Sequence, residues 1–314
     1  MMLTGGGGFV GRHLAPPLKR LGAELFIVRK SEYDLTREAD VARLFAEKQP
    51  QVVLHLAADV GGIEYVRSHG GAVYYQHTMM NTLLLEYARR SSVEKIVAMS
   101  SVNCYAHDAS APFSERAVFD GSPDSSMRSY GFSKRMMILQ SQLYYAQHAL
   151  QTVNLVCDSI YGPHDNFDYG KARVIPANIR RCVEAQAADA PEIIVWGTGA
   201  PTRDFVYVDD VVRALLIAGE HLSTPEPVNL GTGHPVRLKE LIEAIAQLSG
   251  YKGAVTWDRT KPDGQIERYL DVTRATELGI LPTTTLQEGL TQTIRWYRAN
   301  AEAKGREMPL SARQ

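Results

Sequence analysis

Short apolar runs alternate with amphipathic stretches through the first half of the chain. Met1–Thr4, Leu25–Val28, Val52–Leu56, Ile96–Ser100 and Thr152–Cys157 are compact runs dominated by aliphatic residues. Runs of this kind, set between helices, predict parallel strands covered on both faces. Between them, helical periodicity predicts helices over about Val10–Leu21, Asp40–Glu47, Val73–Arg90 and Ser129–His148. Regular alternation of strand and helix predicts an α/β fold, a Rossmann-like doubly wound parallel sheet. Met1–Thr4 leaves only a stub for the first strand.

The texture changes after Tyr161-Gly162-Pro163. Loops lengthen, with Pro163, Pro176, Pro191 and Pro201 as punctuation. Helices predicted over Ile175–Ala187, Leu238–Ser249 and Leu286–Asn300 suggest a smaller α-rich substrate lobe on the C-terminal side. Phe205–Ala218 and Val228–Leu230 read as returns to the first unit. The expected division is 1–162 with about 205–232 for the dinucleotide, 163–204 and 233–300 for the substrate, and a loose tail, 301–314.

Composition narrows the function classes. The 314 residues are 45% hydrophobic and 22% charged, with a net charge of -1. That charge gives no global basic field for nucleic acid. No apolar run reaches the roughly 18 residues of a membrane span. Cys104, Cys157 and Cys182 have no metal-ligand spacing, so no metal is expected. Their odd, low number fits a reducing, cytoplasmic setting rather than a disulfide scaffold. Gly5 to Gly8 interrupt any apolar leader at the start, so no signal peptide is expected.

The first candidate site lies at those glycines. In Thr4-Gly5-Gly6-Gly7-Gly8-Phe9-Val10-Gly11 the glycines at 5, 8 and 11 give GxxGxxG between a strand and a helix. This spacing lets backbone N–H groups approach a pyrophosphate at a helix N-terminus. The second strand ends in Val28-Arg29-Lys30-Ser31, with two cations where an NAD site usually carries an acid. That favours a 2′-phosphate and hence NADPH, with Arg29 the better ligand because its planar fork suits phosphate. Arg12 is a second candidate contact. Leu56, Ala57 and Ala58 close the third strand with residues suited to lie beneath the cofactor.

The second site is Tyr130 with Lys134, one helical turn apart on one face. An ammonium beside a phenol favours phenolate, so Lys134 is expected to keep Tyr130 acidic. Ser101 precedes them at the end of an apolar strand. Glycine turn, Ser101, Tyr130 and Lys134 together resemble the extended short-chain dehydrogenase/reductases that act on nucleotide sugars. That resemblance implies that Ser101 hydrogen-bonds a substrate carbonyl, that Tyr130 delivers the proton and that Lys134 holds the nicotinamide ribose. It also places Asp34 and Leu35 near the adenine.

Within that family the second half resembles the GDP-L-fucose synthases. The similarity rests on Tyr161-Gly162-Pro163-His164-Asp165-Asn166-Phe167, Val174-Ile175-Pro176-Ala177, Val195-Trp196-Gly197-Thr198-Gly199 and Arg203-Asp204-Phe205-Val206-Tyr207-Val208-Asp209-Asp210. Val60-Gly61-Gly62-Ile63 and Lys261-Pro262-Asp263-Gly264 extend it over about residues 3 to 300. The resemblance implies that Val174, Trp196, Arg203 and Lys261 hold GDP.

Two departures bear on chemistry. That family inverts C3 and C5 with a Cys two residues before the Tyr of Ser-Ser-Cys-Ile-Tyr and with the His of His-Val-Ile-Pro. Here the corresponding positions are Asn103 and Arg173. Asn takes no proton from carbon, and Arg stays protonated. Cys104 is adjacent, but a one-residue shift on an extended segment points it to the opposite face. Cys157-Asp158-Ser159 replaces the family's Pro-Thr-Asn beside the sugar, which places Ser159 near a different sugar or sugar face.

The expected function is an NADPH-dependent C4-ketoreductase of a GDP-linked 4-keto-6-deoxy hexose or heptose, without epimerase activity. A bifunctional 3,5-epimerase/4-reductase and an NAD-retaining nucleotide-sugar epimerase are the alternatives. Nucleic acid and membrane partners are not expected. Helices Val73–Arg90 and Phe132–His148 are long and partly apolar, and in related enzymes the equivalent pair forms a four-helix homodimer interface.

Overall fold

The computed structural model describes residues 1–59 and 61–303. Val60 and residues 304–314, most of the expected loose tail, lie outside them. Strand β1 (Met2–Thr4) leads into α1 (Phe9–Arg20), β2 (Phe26–Ile27), α2 (Glu38–Lys48) and β3 (Val52–His55). Helices α3 (Ile63–Ser68) and α4 (Gly70–Arg90) precede β4 (Lys95–Ser101), and α5 (Arg128–His148) precedes β5 (Gln151–Cys157). Then come β6 (Ser159–Tyr161), α6 (Val174–Ala187), β7 (Glu192–Trp196), β8 (Thr202–Arg203), β9 (Phe205–Tyr207) and α7 (Val208–His221). The chain continues with β10 (Val228–Leu230), β11 (Val236–Arg237), α8 (Leu238–Leu248), β12 (Ala254–Asp258), β13 (Glu267–Arg268), α9 (Thr273–Glu277) and α10 (Leu286–Ala303).

Six strands form one parallel sheet in the order β2-β1-β3-β4-β5-β10. Alternate residues of each strand enter opposite cores. Leu3, Leu54, Val97 and Val153 pack with Leu14 and Leu18 of α1 and with Val211 and Leu215 of α7. Met2, Val53 and Ile96 pack with Leu44 and Phe45 of α2, Leu84 of α4 and Met137 of α5. Both faces are covered, so the strands read as unbroken apolar runs. Chain order reverses between β1 and β3, which opens a crevice at their carboxyl ends.

The return of Val228–Leu230 to the sheet is seen as β10 beside β5. Phe205–Ala218 becomes strand β9, paired with β6, followed by α7. The substrate side holds more β structure than its helical periodicity suggests. Strands β7 and β12 pair in parallel, and β8 lies between β11 and β13. No described helix is long and apolar enough to cross a membrane.

Candidate active site

The glycine turn follows directly from the crevice. Gly5 has φ +68°, and a Cβ there would stand 2.7 Å from the Ala57 nitrogen. A Cβ on Gly11 would stand 2.3 Å from the Gly5 carbonyl oxygen. The turn is therefore pressed against the end of β3 on one side and α1 on the other. Helix α1 begins at Phe9 with no side-chain cap and no acid in its first turn. Its leading N–H groups, Phe9 and Val10 among them, are left for an anion. Arg12 folds back, its Nε donating to the Gly7 carbonyl at 2.8 Å.

A buried polar brace fixes the turn to the helices behind it. Thr4 Oγ1 accepts from the Leu56 and Ala57 N–H groups and lies 2.8 Å from His55 Nδ1. His55 Nε2 lies 2.9 Å from Asn81 Oδ1, and Asn81 Nδ2 donates to the Ser133 carbonyl at 3.4 Å. Burial holds His55 down at about 4, helped by the nearby Lys134 cation, so its ring is neutral. In that form Thr4 donates to Nδ1 and Nε2 donates to Asn81.

Beyond β2 lie the adenine-side candidates. Arg29 is exposed, and its side chain makes no hydrogen bond or ion pair among the described residues, while its carbonyl accepts from the Glu32 and Tyr33 N–H groups. Asp34 instead accepts from the Thr36 N–H and hydroxyl at 3.0 and 2.7 Å, which holds its carboxyl below the usual range. Leu35 is buried beside Val28 and Leu44.

At the end of β4 the chain turns, and this turn meets α5. Tyr130 is 8% exposed, and the Ser101 hydroxyl lies where it favours the ionised phenol. Lys134 Nζ donates to the Met99 carbonyl at 2.8 Å and lies 5.7 Å from the Tyr130 ring centroid. The expected acidification of Tyr130 is not found. Burial pushes the phenol up to about 12, against the opposing Ser101 hydrogen bond and Arg173 charge. Burial also lowers Lys134 to about 8. Desolvation is the largest influence on both groups, so the phenol stays protonated and ready to donate.

His77, absent from the residues singled out in the sequence, stands edge-on to Tyr130 with centroids 5.2 Å apart. It is fully buried, its Nε2 is 3.0 Å from the Asp59 carbonyl, and burial holds it at about 4. Nothing in its helical position in the sequence marks it as facing the tyrosine.

The segment after Ser101 is not extended. Val102–Cys104 form a 3-10 turn, with Ser101 Oγ accepting the Asn103 N–H. The turn sends Cys104 into a core with Val102, Phe113 and Ile138, where burial raises its thiol to about 12. Asn103 instead keeps its side chain at the site. Its Nδ2 donates to Ser101 Oγ at 3.0 Å, and its Oδ1 accepts from Arg268 Nη1 at 3.2 Å.

Arg268 is the largest omission of the sequence reading. It sits on a two-residue strand, and no periodicity marks it. Its Nη2 donates to Ser159 Oγ at 3.3 Å, and its Nε is buried without a partner. Arg203 is its register partner on β8. Two like charges thus lie side by side, a costly arrangement unless an anion joins them. Burial, with Arg268 second, lowers Arg203 to about 10. Arg203 Nη1 donates to the Thr202 and Ile266 carbonyls, and Arg203 makes no ion pair among the described residues.

The remaining substrate-side residues fall in two places. Arg173 precedes α6 at its N-cap position without a side-chain cap, pairs with Asp165 at 3.0 Å and lies 5.7 Å from the Phe9 ring centroid. Val174 begins α6 beside it, packed on the large core. Trp196 is 68% exposed, so it is not a core residue, and Lys261 Nζ lies 5.3 Å from its ring centroid. Asp263 ties the two loops together by accepting from the Thr198 N–H and hydroxyl at 2.7 and 2.6 Å.

Comparisons with known proteins give the family. Residues 1–231 match the NAD dependent epimerase/dehydratase family. The chain belongs to that family. It is 35% identical over 302 residues to the probable GDP-L-fucose synthase 1 of Oryza sativa subsp. japonica, covering 96% of this chain and 92% of that one. It is 32% identical over 312 residues to the GDP-L-fucose synthase of Escherichia coli (strain K12), covering 96% and 97%. The fold matches that of MlghC, GDP-mannoheptose C4 reductase from Campylobacter jejuni with NADP bound, with TM-score 0.86, 23% identity and coverage of 95% and 97%.

Proposed function

We propose that this extended short-chain dehydrogenase/reductase is an NADPH-dependent C4-ketoreductase of a GDP-linked 4-keto-6-deoxy hexose or heptose, without C3/C5 epimerase activity. One observation carries the reading. Ser101 at the end of β4 and Tyr130 on α5 border one site, while Asn103 and Arg173 stand where the resembling enzymes carry their epimerising Cys and His.

The residues present fit the cofactor. The cradle at Gly5, Gly8 and Gly11 and the uncapped start of α1 suit a pyrophosphate. Arg29, exposed and unpaired, suits a 2′-phosphate, with Arg12 near the turn. Asp34 and Leu35 would border the adenine, and Leu56, Ala57 and Ala58 the face beneath. Bound there, NADPH supplies the hydride that reduces C4.

The chain's own residues do the rest. Tyr130 gives its proton to the oxygen that was the C4 carbonyl, and Ser101 donates a hydrogen bond to that oxygen. Lys134 stays near the tyrosine, where its charge stabilises the phenolate left behind. Arg203 and Lys261 would neutralise the diphosphate, with Trp196 as a stacking surface for the base and Val174 as its wall. Arg173 and Ser159 would border the sugar, between the residues of 163–204 and 233–300 and the Rossmann sheet.

Neither Cys104 nor Arg173 offers the missing base. The Cys104 thiol is buried in the neighbouring core, and an arginine side chain has donors only. The relatives' names favour a second reading, the bifunctional synthase. Turnover of GDP-4-keto-6-deoxymannose with NADPH in deuterated water separates the two. Reduction with no deuterium at C3 or C5 is expected. Deuterium at either carbon would overturn the loss of epimerase chemistry.

A further inference from the structure

Ser101 Oγ accepts two hydrogen bonds, from the Asn103 backbone N–H at 3.3 Å and from Asn103 Nδ2 at 3.0 Å. A serine hydroxyl has two lone pairs and one proton. With both lone pairs engaged, the proton points away from Asn103, and the Ser101 hydroxyl acts on the Tyr130 phenol as a donor would, favouring its ionised form.

Which end of the Asn103 amide faces Ser101 decides this. The two ends of an Asn side chain have the same shape, so their neighbours choose. Arg268 has donors only. Its Nη1 lies 3.2 Å from Oδ1, which turns Nδ2 toward Ser101. The guanidinium is itself held by Ser159 Oγ, whose proton goes to Asp158 Oδ1 at 3.2 Å.

We infer that Arg268 and Asn103 are positioning residues that lock Ser101 as a one-way hydrogen-bond donor to the reacting oxygen. The donations run in one direction, from Arg268 to Asn103 to Ser101, which leaves the Ser101 proton for the reacting oxygen, and a charge at the head polarises each link. Asn103 therefore fills a former proton-transfer position with an orienting group. The inference rests on the reading of Ser101 as the residue that binds the substrate carbonyl.

Asn103→Asp tests it. A carboxylate there keeps a partner for Arg268 but can only accept, so it draws the Ser101 proton away from the site. With the full-length protein, GDP-4-keto-6-deoxymannose and NADPH, kcat is expected to fall about 100-fold. Both KM values should stay within about threefold if binding is spared, as in other losses of transition-state contacts. In a Ser101→Ala background the same change should cost nothing further. Near wild-type kcat for Asn103→Asp, or an equal loss in the Ser101→Ala background, would overturn the inference.

A measurement without turnover keeps it separate from the functional reading. In ligand-free ¹⁵N-labelled protein, the Asn103 side-chain amide protons are expected to exchange slowly, and faster in Arg268→Leu. Rapid exchange in the wild type would overturn the relay even if the enzyme reduces the sugar. Failure of the wild type to reduce it would overturn the functional reading and leave the exchange result to decide the relay.

Discussion

Gly131 lies against the Asn103 backbone so closely that a Cβ on it would stand 2.3 Å from the Asn103 carbonyl oxygen. The first turn of α5 rests on the turn after β4 only because position 131 has no side chain. This contact sets how Tyr130 faces Ser101.

Gly131→Ala is therefore expected to push the two segments apart. Overpacking of this kind costs about 1–3 kcal/mol. Turnover should drop by more than about tenfold, while NADPH binding, read by fluorescence titration, stays near wild type. Unchanged turnover would show that the contact does not position the phenol.

The titration states of the pair make a pH prediction. Tyr130, raised to about 12, remains protonated throughout the working range. Lys134, lowered to about 8, loses its charge as pH rises through that value. The kcat/KM profile for reduction should therefore fall on its basic side near pH 8. A basic limb that persists unmoved in Lys134→Arg would assign it to another group. Tyr130→Phe should lose about 10²–10⁴ in kcat and still bind NADPH.

Arg29 carries the cofactor choice. A charge-assisted hydrogen bond is worth about 1.5–3 kcal/mol, so Arg29→Ala should raise KM for NADPH by about 10-fold or more, with little change for NADH. Equal effects on both cofactors would remove the 2′-phosphate from this residue.

Asp158 links stability to pH. It is 5% exposed, its Oδ2 has no partner, and burial raises it to about 7, opposed by Arg268. The carboxyl also faces Asp204, which raises it further, and its field reaches Arg203 and Cys157. The folded state thus binds the proton more tightly than the unfolded chain, whose value is near 4. Its contribution is present in full below pH 4 and is lost as pH rises to about 7. Denaturant midpoints of Asp158→Asn should show a weaker decline across that window than those of the wild type. Parallel curves would exclude the carboxyl as the source.

The homodimer reading rests on an apolar surface. Tyr75 of α4 and Met136, Leu143 and Tyr145 of α5 are exposed on the long helix pair. Met136→Glu with Leu143→Glu is expected to yield a monomer in sedimentation velocity, without loss of the fold by circular dichroism. A dimer that survives the double change would place its interface elsewhere.

The main sheet was legible in the sequence because β3, β4 and β5 are covered on both faces, and burial leaves an unbroken apolar signature. Ser101, Tyr130 and Lys134 were legible because local spacing puts them on a strand end and one helix face. Strands β8, β11 and β13 were not, since two residues carry no period. Arg268 was hidden for the same reason, and its partner Asn103 is distant in the chain. The Tyr130 titration state was misread because spacing reports which charges are near, while desolvation depends on packing from every side. Cys104 was correctly sent away from the site, though through a 3-10 turn rather than an extended strand.

The neighbouring guanidinium groups of Arg203 and Arg268 have a dynamic consequence. With no anion between them, they repel across the β8–β13 pairing, which is only two residues long. The small β11-β8-β13 sheet should then be among the first regions to open when the protein is empty, and a nucleoside diphosphate should close it. Backbone amide exchange at Thr202 and Arg268 would act as an internal occupancy gauge, slow when the site is filled and fast when it is vacant.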